Sequence, residues 1–180
     1  RGMDLILTYH SRRDEAEATA AEVRALGAQV AVLQLDVGDS SRFVSFAAEV
    51  RALLEREWQC PHFDALVNNA GTGLHAAFSD TTEAQFDELF RIHLKAPYFL
   101  TQALLPSLAD GGRILNISSG LARFSLPGSS AYAVMKGGVE VLSRYLARVL
   151  GSRGISVNTL APGAIATDFN GGLVRDNPAI

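Results

Sequence analysis

The sequence predicts an α/β fold, a doubly wound parallel sheet forming a single domain over residues 1–180. Three observations predict it. Short apolar runs alternate with helical patterns along the whole chain. The runs are 3–6 residues long and rich in Val, Ile and Leu, which fits strands buried on both faces of a parallel sheet. Small and polar residues follow each run, the place where ligands bind in such sheets.

Each element follows from its own pattern. The first strand is Leu5–Tyr9, and an Ala/Glu/Arg-rich helix over 14–26 stops at Gly27. A second strand covers 30–35. The segment 41–58 places Phe43, Phe46, Ala47, Val50, Leu53 and Leu54 at helical spacing. A third strand lies at 65–67. A long apolar-periodic helix spans 82–108, with Pro97 expected to bend or break it. A fourth strand at 114–117 precedes a helix over Ser130–Leu150 that carries Tyr132, Val139, Leu142, Leu146 and Val149. The last strand is 155–160. Without a repeat, a low-complexity tract or a long linker, the chain has no internal boundary.

Composition narrows the function. With 48% hydrophobic and 19% charged residues, the chain can bury a core and is not disordered. Sixteen basic against nineteen acidic residues give a net charge of −3, which disfavours nucleic acid as a partner. Cys60 stands alone, so there is no internal disulfide, and His10, His62, His75 and His93 offer no metal-ligand spacing. No apolar run approaches the ~20 residues of a membrane span and no signal peptide is visible. A cytoplasmic protein with no membrane partner is expected.

The strongest chemical signal is Tyr132 followed by Lys136, one helical turn apart on one face. Tyrosine is a poor base at neutral pH, and a nearby ammonium lowers its pKa by stabilising the phenolate. Two to three units of lowering need roughly 3–4 kcal/mol, within reach of a cation in a dry pocket. Ser119 ends a strand thirteen residues earlier, where its hydroxyl could share a substrate oxygen with the tyrosine. Ser119 and Gly120 also read as a plain turn. A Ser/His/Asp hydrolase fails because no Gly-x-Ser-x-Gly elbow is present. Asn68, Asn69, Ala70 and Gly71 follow the third strand. The small pair lets a flat ligand approach the backbone, and the Asn side chains could tie neighbouring strands. An ordinary Asn/Gly turn reads the same way.

These residues, with Pro162 and Gly163, stand in the order and spacing of the short-chain dehydrogenase/reductase family, which the chain resembles over essentially its whole length. The stretch 157–167 also resembles the family's segment after its penultimate strand. The resemblance implies a Rossmann-like fold and an NAD(P)-dependent oxidoreductase that interconverts a carbonyl and a secondary alcohol on a small-molecule substrate. It implies Tyr132 as general acid/base, Ser119 as the group that positions the substrate oxygen, and Lys136 as the cation that lowers the Tyr132 pKa and binds the nicotinamide ribose. Asp36 and Val37 would touch the adenine. Asn68, Ala70 and Gly71 would lie along the cofactor, and Pro162, Gly163, Ile165 and Thr167 would flank the nicotinamide. The alternative is a non-catalytic relative that binds the dinucleotide as a sensor or scaffold; the intact Ser119, Tyr132 and Lys136 argue against it.

The sequence departs from the family pattern in two ways. The family's Gly-rich turn between its first strand and first helix is absent, so the family's first βα unit is expected to be missing before Arg1, and its last helix and strand after Ile180. The strands at 30–35 and 114–117 are then expected to lack a neighbour. Second, His93 stands where the family often has an Asn that holds a proton-relaying water; it reads either as a member of that relay or as a buried helix residue with one satisfied nitrogen. Cofactor choice rests on 9–13, which has no carboxylate. Arg12 or Arg13 could meet a 2′-phosphate, which favours NADP(H) over NAD(H), unless both arginines are simply solvated. Apolar residues on more than one face of 82–108 and Ser130–Leu150 indicate a homo-oligomer, and the resemblance makes it a dimer or homotetramer.

Overall fold

A computed structural model describes residues 2–167, 169–172 and 174–176; Ile180 lies outside the described residues. β1 is Leu5–Tyr9, α1 Arg13–Ala25, β2 Val30–Gln34, α2 Phe43–Trp58 and β3 Phe63–Asn68. α3 (Glu83–Phe90) runs through a π-helical turn, Arg91–Lys95, into α4 (Ala96–Leu104). β4 (Leu108–Ile117), α5 (Ser130–Leu150) and β5 (Ser156–Leu160) follow.

Every strand pair is parallel. β1 pairs with β2, and β3, β4 and β5 form a second sheet in that order. Register sets Leu66 beside Ile114 and Ile114 beside Val157. Side chains alternate across a strand, so these residues share one face. On it, α2 and α4 pack against Ile6, Leu33, Leu35, Phe63 and Leu66. The C-terminal half of α5 covers Ile114 and Val157 through Leu146, Ala147 and Leu150. α1 packs on β1 and β2, and Ala16 and Thr19 line an open cavity with Leu7 on the face opposite Ile6. The fold is thus the doubly wound, Rossmann-like α/β domain expected, and one helical layer spans both sheets.

Burial on both faces holds only in part. Val67 of β3 and Leu160 of β5 are 54% and 53% exposed, because α1 covers β1 and β2 and leaves the outer face of β3 and β5 largely open. The strand at 114–117 does not lack a neighbour, since β4 pairs with both β3 and β5. The strand at 30–35 has β1 on one side only, and among the described residues the further unpaired edges are one each on β1, β3 and β5.

Pro97 does not break its helix. Pro lacks an N–H and disrupts a helix interior, yet here it stands second in α4, just after the wide turn in which the Ala96 N–H donates to Arg91 O, five residues back. The helical run ends at Leu104, short of the expected 108, and β4 begins at Leu108, six residues before the apolar run that signalled it. Gly27, at φ +89°, ends α1 as expected.

Candidate active site

α5 begins after Ser129 and presents Tyr132 and Lys136 on one face. The Lys136 ammonium lies 5.5 Å from the centre of the Tyr132 ring. Lys136 is buried, and its Nζ donates to Ile117 O at 2.8 Å, which fixes it at the end of β4. Burial pulls its pKa down to about 8. Ser119 stands two residues beyond the end of β4; its hydroxyl accepts from Leu121 N at 3.2 Å and lies on the side of the Tyr132 phenol. Burial pushes the Tyr132 pKa up, and the Ser119 hydroxyl opposes that rise. The expected lowering of the tyrosine by Lys136 is not what this geometry gives: desolvation of the phenol dominates, and Ser119 is the group that opposes it.

His93 sits in the π-helical turn and is 1% exposed. Its Nε2 lies 2.8 Å from Thr72 O and accepts from Thr72 N at 3.2 Å in the alternative tautomer. Nδ1 is buried with no hydrogen-bond partner. The ring meets the Tyr132 ring edge to face, centroids 5.1 Å apart. Burial first, and the Lys136 charge second, lower the His93 pKa to about 4, so the imidazole is neutral near pH 7. Gly71 closes the other side: a Cβ there would lie 2.7 Å from His93 Cε1.

Below the carboxyl ends of β3 and β4 runs a polar network. Asn68 Nδ2 donates to Asn116 Oδ1 at 2.7 Å and reaches Thr101 Oγ1 at 3.1 Å. Asn116 Nδ2 donates to Ser143 Oγ at 2.8 Å, and that hydroxyl donates to Val139 O at 2.8 Å. The Asn68 side-chain N–H groups therefore tie β3 to β4 and α4.

The remaining expected residues line the carboxyl ends of the strands. An open cavity of about 390 Å³ beyond β1 is lined by Tyr9, His10, Ser11 and Arg12. Arg12 is exposed and paired with Glu15 at 2.8 Å. A second cavity, of about 130 Å³, is lined by Asp36, Asp39 and Arg42. Asp36 Oδ1 accepts from Gly38 N at 2.8 Å, and Val37 packs on the core. Ala70 and Gly71 are exposed beyond β3. Pro162 O accepts from Gly120 N at 3.1 Å, which joins the segment after β5 to the Ser119 turn. Gly163, Ile165 and Thr167 are exposed there, and Thr167 Oγ1 accepts from Phe169 N at 3.3 Å.

Two polar groups beside this cluster escaped the sequence pattern. These are Asn116 in β4 and Glu140 on α5. The signals that could have found them are the strand period that points Asn116 inward with Asn68, and the i, i+4 spacing that puts Glu140 on the Lys136 face. Among the described residues no group of three His, Cys, Asp or Glu could hold a metal, and no helix is long and apolar enough to cross a membrane.

A family model described as enoyl-(acyl carrier protein) reductase matches residues 1–179. The chain is 31% identical over 171 residues to a hydroxynaphthalene reductase-like protein of Metarhizium brunneum, covering 94% of this chain and 61% of that protein. It thus spans about three fifths of that relative's length. Among solved structures it is similar to the landomycin C-6 ketoreductase LanV with bound NADP and rabelomycin, at TM-score 0.87 and 32% identity, covering 95% of this chain and 69% of that one. It is also similar to LugOII, a promiscuous reductase that acts in lugdunomycin biosynthesis, at TM-score 0.88 and 35% identity, covering 97% and 68%.

Proposed function

The chain belongs to the short-chain dehydrogenase/reductase family, and from that premise we propose that it is an NADP(H)-dependent reductase that interconverts a ketone and a secondary alcohol, with Tyr132 as general acid/base. The observation that carries this reading is the buried Lys136, held at the end of β4 with its ammonium 5.5 Å from the Tyr132 ring, on the side where Ser119 stands.

The cavities beyond β1 and β2 suit the cofactor, since a cleft of about 390 Å³ admits a ribose phosphate and the Arg12 guanidinium stands at its wall. In this reading Arg12 meets the 2′-phosphate, and Asp36 and Val37 border the adenine. Ala70, Gly71 and the backbone of Asn68 run along the cofactor, and Pro162, Gly163, Ile165 and Thr167 flank its nicotinamide. Bound there, NADP(H) supplies the hydride. Ser119 holds the substrate oxygen by a hydrogen bond. Tyr132 gives its proton to that oxygen in reduction and takes it back in oxidation. Its raised pKa keeps the phenol protonated near pH 7, which suits it as an acid. Lys136 holds a ribose hydroxyl and keeps a positive charge beneath the phenol. His93 keeps Thr72 and the Tyr132 ring in place, with Nδ1 left to hold a proton-relaying water. The bound rabelomycin in one structural neighbour, and a hydroxynaphthalene reductase-like relative, support a fused-ring aromatic ketone as substrate. Exposed Phe169, its ring 6.3 Å from that of Tyr132, and exposed Phe124 and Leu126 on the segment after Ser119 agree with an apolar substrate. The assembly is a homo-oligomer through α4 and α5.

The test is loss of 340 nm absorbance from NADPH with a panel of tetralones and naphthols in their keto form. Tyr132→Phe should lower turnover by about 10²–10⁴-fold while NADPH affinity stays within a few-fold. Turnover above a tenth of wild type would overturn the assignment.

A further inference from the structure

Ser119 lies between two residues that reach the same carboxylate. On one side Ser118, 2% exposed, donates its hydroxyl to Glu140 Oε1 at 3.1 Å, with Lys136 O as a second acceptor at 3.3 Å. On the other side Arg123, at the end of the turn after Ser119, pairs through Nε with the same Oε1 at 3.6 Å. The Glu140 side chain is only 17% exposed, and it stands one turn beyond Lys136 on α5. Strand alternation makes this possible: Ser118 points inward to α5 while Ser119 points to the substrate side.

We propose that Glu140 is a positioning residue whose carboxylate grips the chain on both sides of Ser119 and so keeps the Ser119 hydroxyl on the Tyr132 phenol. The two grips differ in weight. The Ser118 bond is buried and charge-assisted, the stronger class of hydrogen bond. The Arg123 pair has a 71% exposed partner, and such pairs contribute little. Ser118 is therefore the principal tie and Arg123 an outer one. The inference rests on the reading of Ser119 and Tyr132 as the reacting pair.

The experiment uses the full-length enzyme with NADPH and the ketone that turns over best, and the variants Ser118→Ala, Glu140→Ala and Glu140→Gln. Ser118→Ala and Glu140→Ala should each lower kcat at least tenfold with the KM for NADPH little changed. Glu140→Gln keeps an acceptor oxygen for Ser118 and should restore kcat to within about threefold. The pair Ser118→Ala/Glu140→Ala should be no worse than either single change, because both break one link.

A second readout separates positioning from simple stability and from charge. ¹³Cζ-tyrosine NMR follows the ionisation of Tyr132, assigned with Tyr132→Phe. Ser119 opposes the rise of the phenol pKa, so both alanine variants, which free Ser119 to move away, should move it up. Removing the Glu140 charge alone would move it down. The other titrating groups that face the phenol, His93 and Lys136, are unchanged in all variants. Ser118→Ala carries no change of charge and a small loss of volume, so it decides the matter if Glu140→Ala does not fold. A Tyr132 pKa unmoved or lowered in Ser118→Ala overturns the proposal, as does a kcat within threefold of wild type. If the wild type turns over no ketone, the reductase reading fails instead, and the NMR titration still decides whether Glu140 holds Ser119 on Tyr132.

Discussion

The rings of His93 and Tyr132 meet edge to face, with centroids 5.1 Å apart and planes at 81°. Such pairs are held by the aromatic quadrupole, and here the contact puts a buried titratable ring against the reacting phenol. A charged imidazole in that place would face Lys136 as a like charge and lose its solvation, which is why the His93 pKa falls to about 4.

The first prediction is a pH-dependent stability. The unfolded chain binds a proton on His93 below about pH 6.5, while the folded chain resists protonation down to about 4. Stability is therefore full above pH 6.5 and is lost as pH falls toward 4, by roughly 3 kcal/mol from this group. His93→Asn removes the titration. Urea unfolding at pH 7 and pH 4.5 should show a larger drop for wild type than for His93→Asn by about 2 kcal/mol or more. Equal drops would show that His93 is not the group responsible.

Gly71 yields a second prediction. A Cβ built there lies 2.7 Å from His93 Cε1 and 3.3 Å from Nδ1, and His93 has little freedom to move because Thr72, Tyr132 and the π-helical turn hold it. Gly71→Ala should cost about 1–3 kcal/mol, the usual range for overpacking. In the His93→Ser background the same change should cost far less, since the ring that it meets is gone. A thermal-unfolding double-mutant cycle measures the coupling. Additive effects would mean that the two residues do not crowd each other.

How far the sequence foretold this can be read residue by residue. β1 was legible to its ends because its apolar run has no rival pattern, and α5 was legible because Ser130–Leu150 keeps one helical period. Tyr132, Lys136 and Ser119 were legible because their chemistry needs a fixed spacing. The π-helical turn was not. One extra residue within a helical pattern leaves no mark in composition, and Pro97 suggested a break where the chain instead widens before it. The early start of β4 was hidden behind Gly111 and Gly112, which signal a turn; in the strand, a Cβ at Gly112 would lie 2.7 Å from Ala109 O and 3.0 Å from Asp64 O, so the close approach there calls for glycine. Partners far apart in the chain, such as Ser118 with Glu140, need the register of β4 against α5, which no local pattern carries.

The network under the site supplies a third prediction. Asn116 is fully buried and satisfies both Asn68 and Ser143. Asn116→Leu fits the volume but removes two hydrogen bonds and leaves the Asn68 amide with Thr101 alone. A lost buried partner costs about 1–3 kcal/mol. Ser143→Ala should cost less, since Asn116 keeps its bond to Asn68. Urea midpoints should rank Asn116→Leu below Ser143→Ala, and Ser143→Ala below wild type. The reverse order would show that the Asn68 bond to Asn116 contributes little.

The last prediction concerns assembly. Val134, Val141, Tyr145 and Val149 recur along α5 at helical spacing, and Tyr145 and Val149 are 70% and 67% exposed. Tyr98 and Phe99, tilted at 56° with centroids 4.9 Å apart, are also exposed on α4. A stripe of valines and tyrosines on two adjacent helices is apolar surface of the kind that monomers rarely leave in water. A second copy of the chain offers the same stripe, and a two-fold axis lets each cover the other. Stable dimers of this kind bury about 800 Å² per partner, which two helix faces can supply. Light scattering at micromolar concentration should give at least twice the chain mass. Tyr145→Glu places a charge in the middle of the stripe, where desolvation penalises it in the dimer and not in the monomer. That variant should run at the mass of one chain and keep its fold by circular dichroism. A wild-type monomer, or a Tyr145→Glu variant that remains oligomeric, would show that α5 is not the interface.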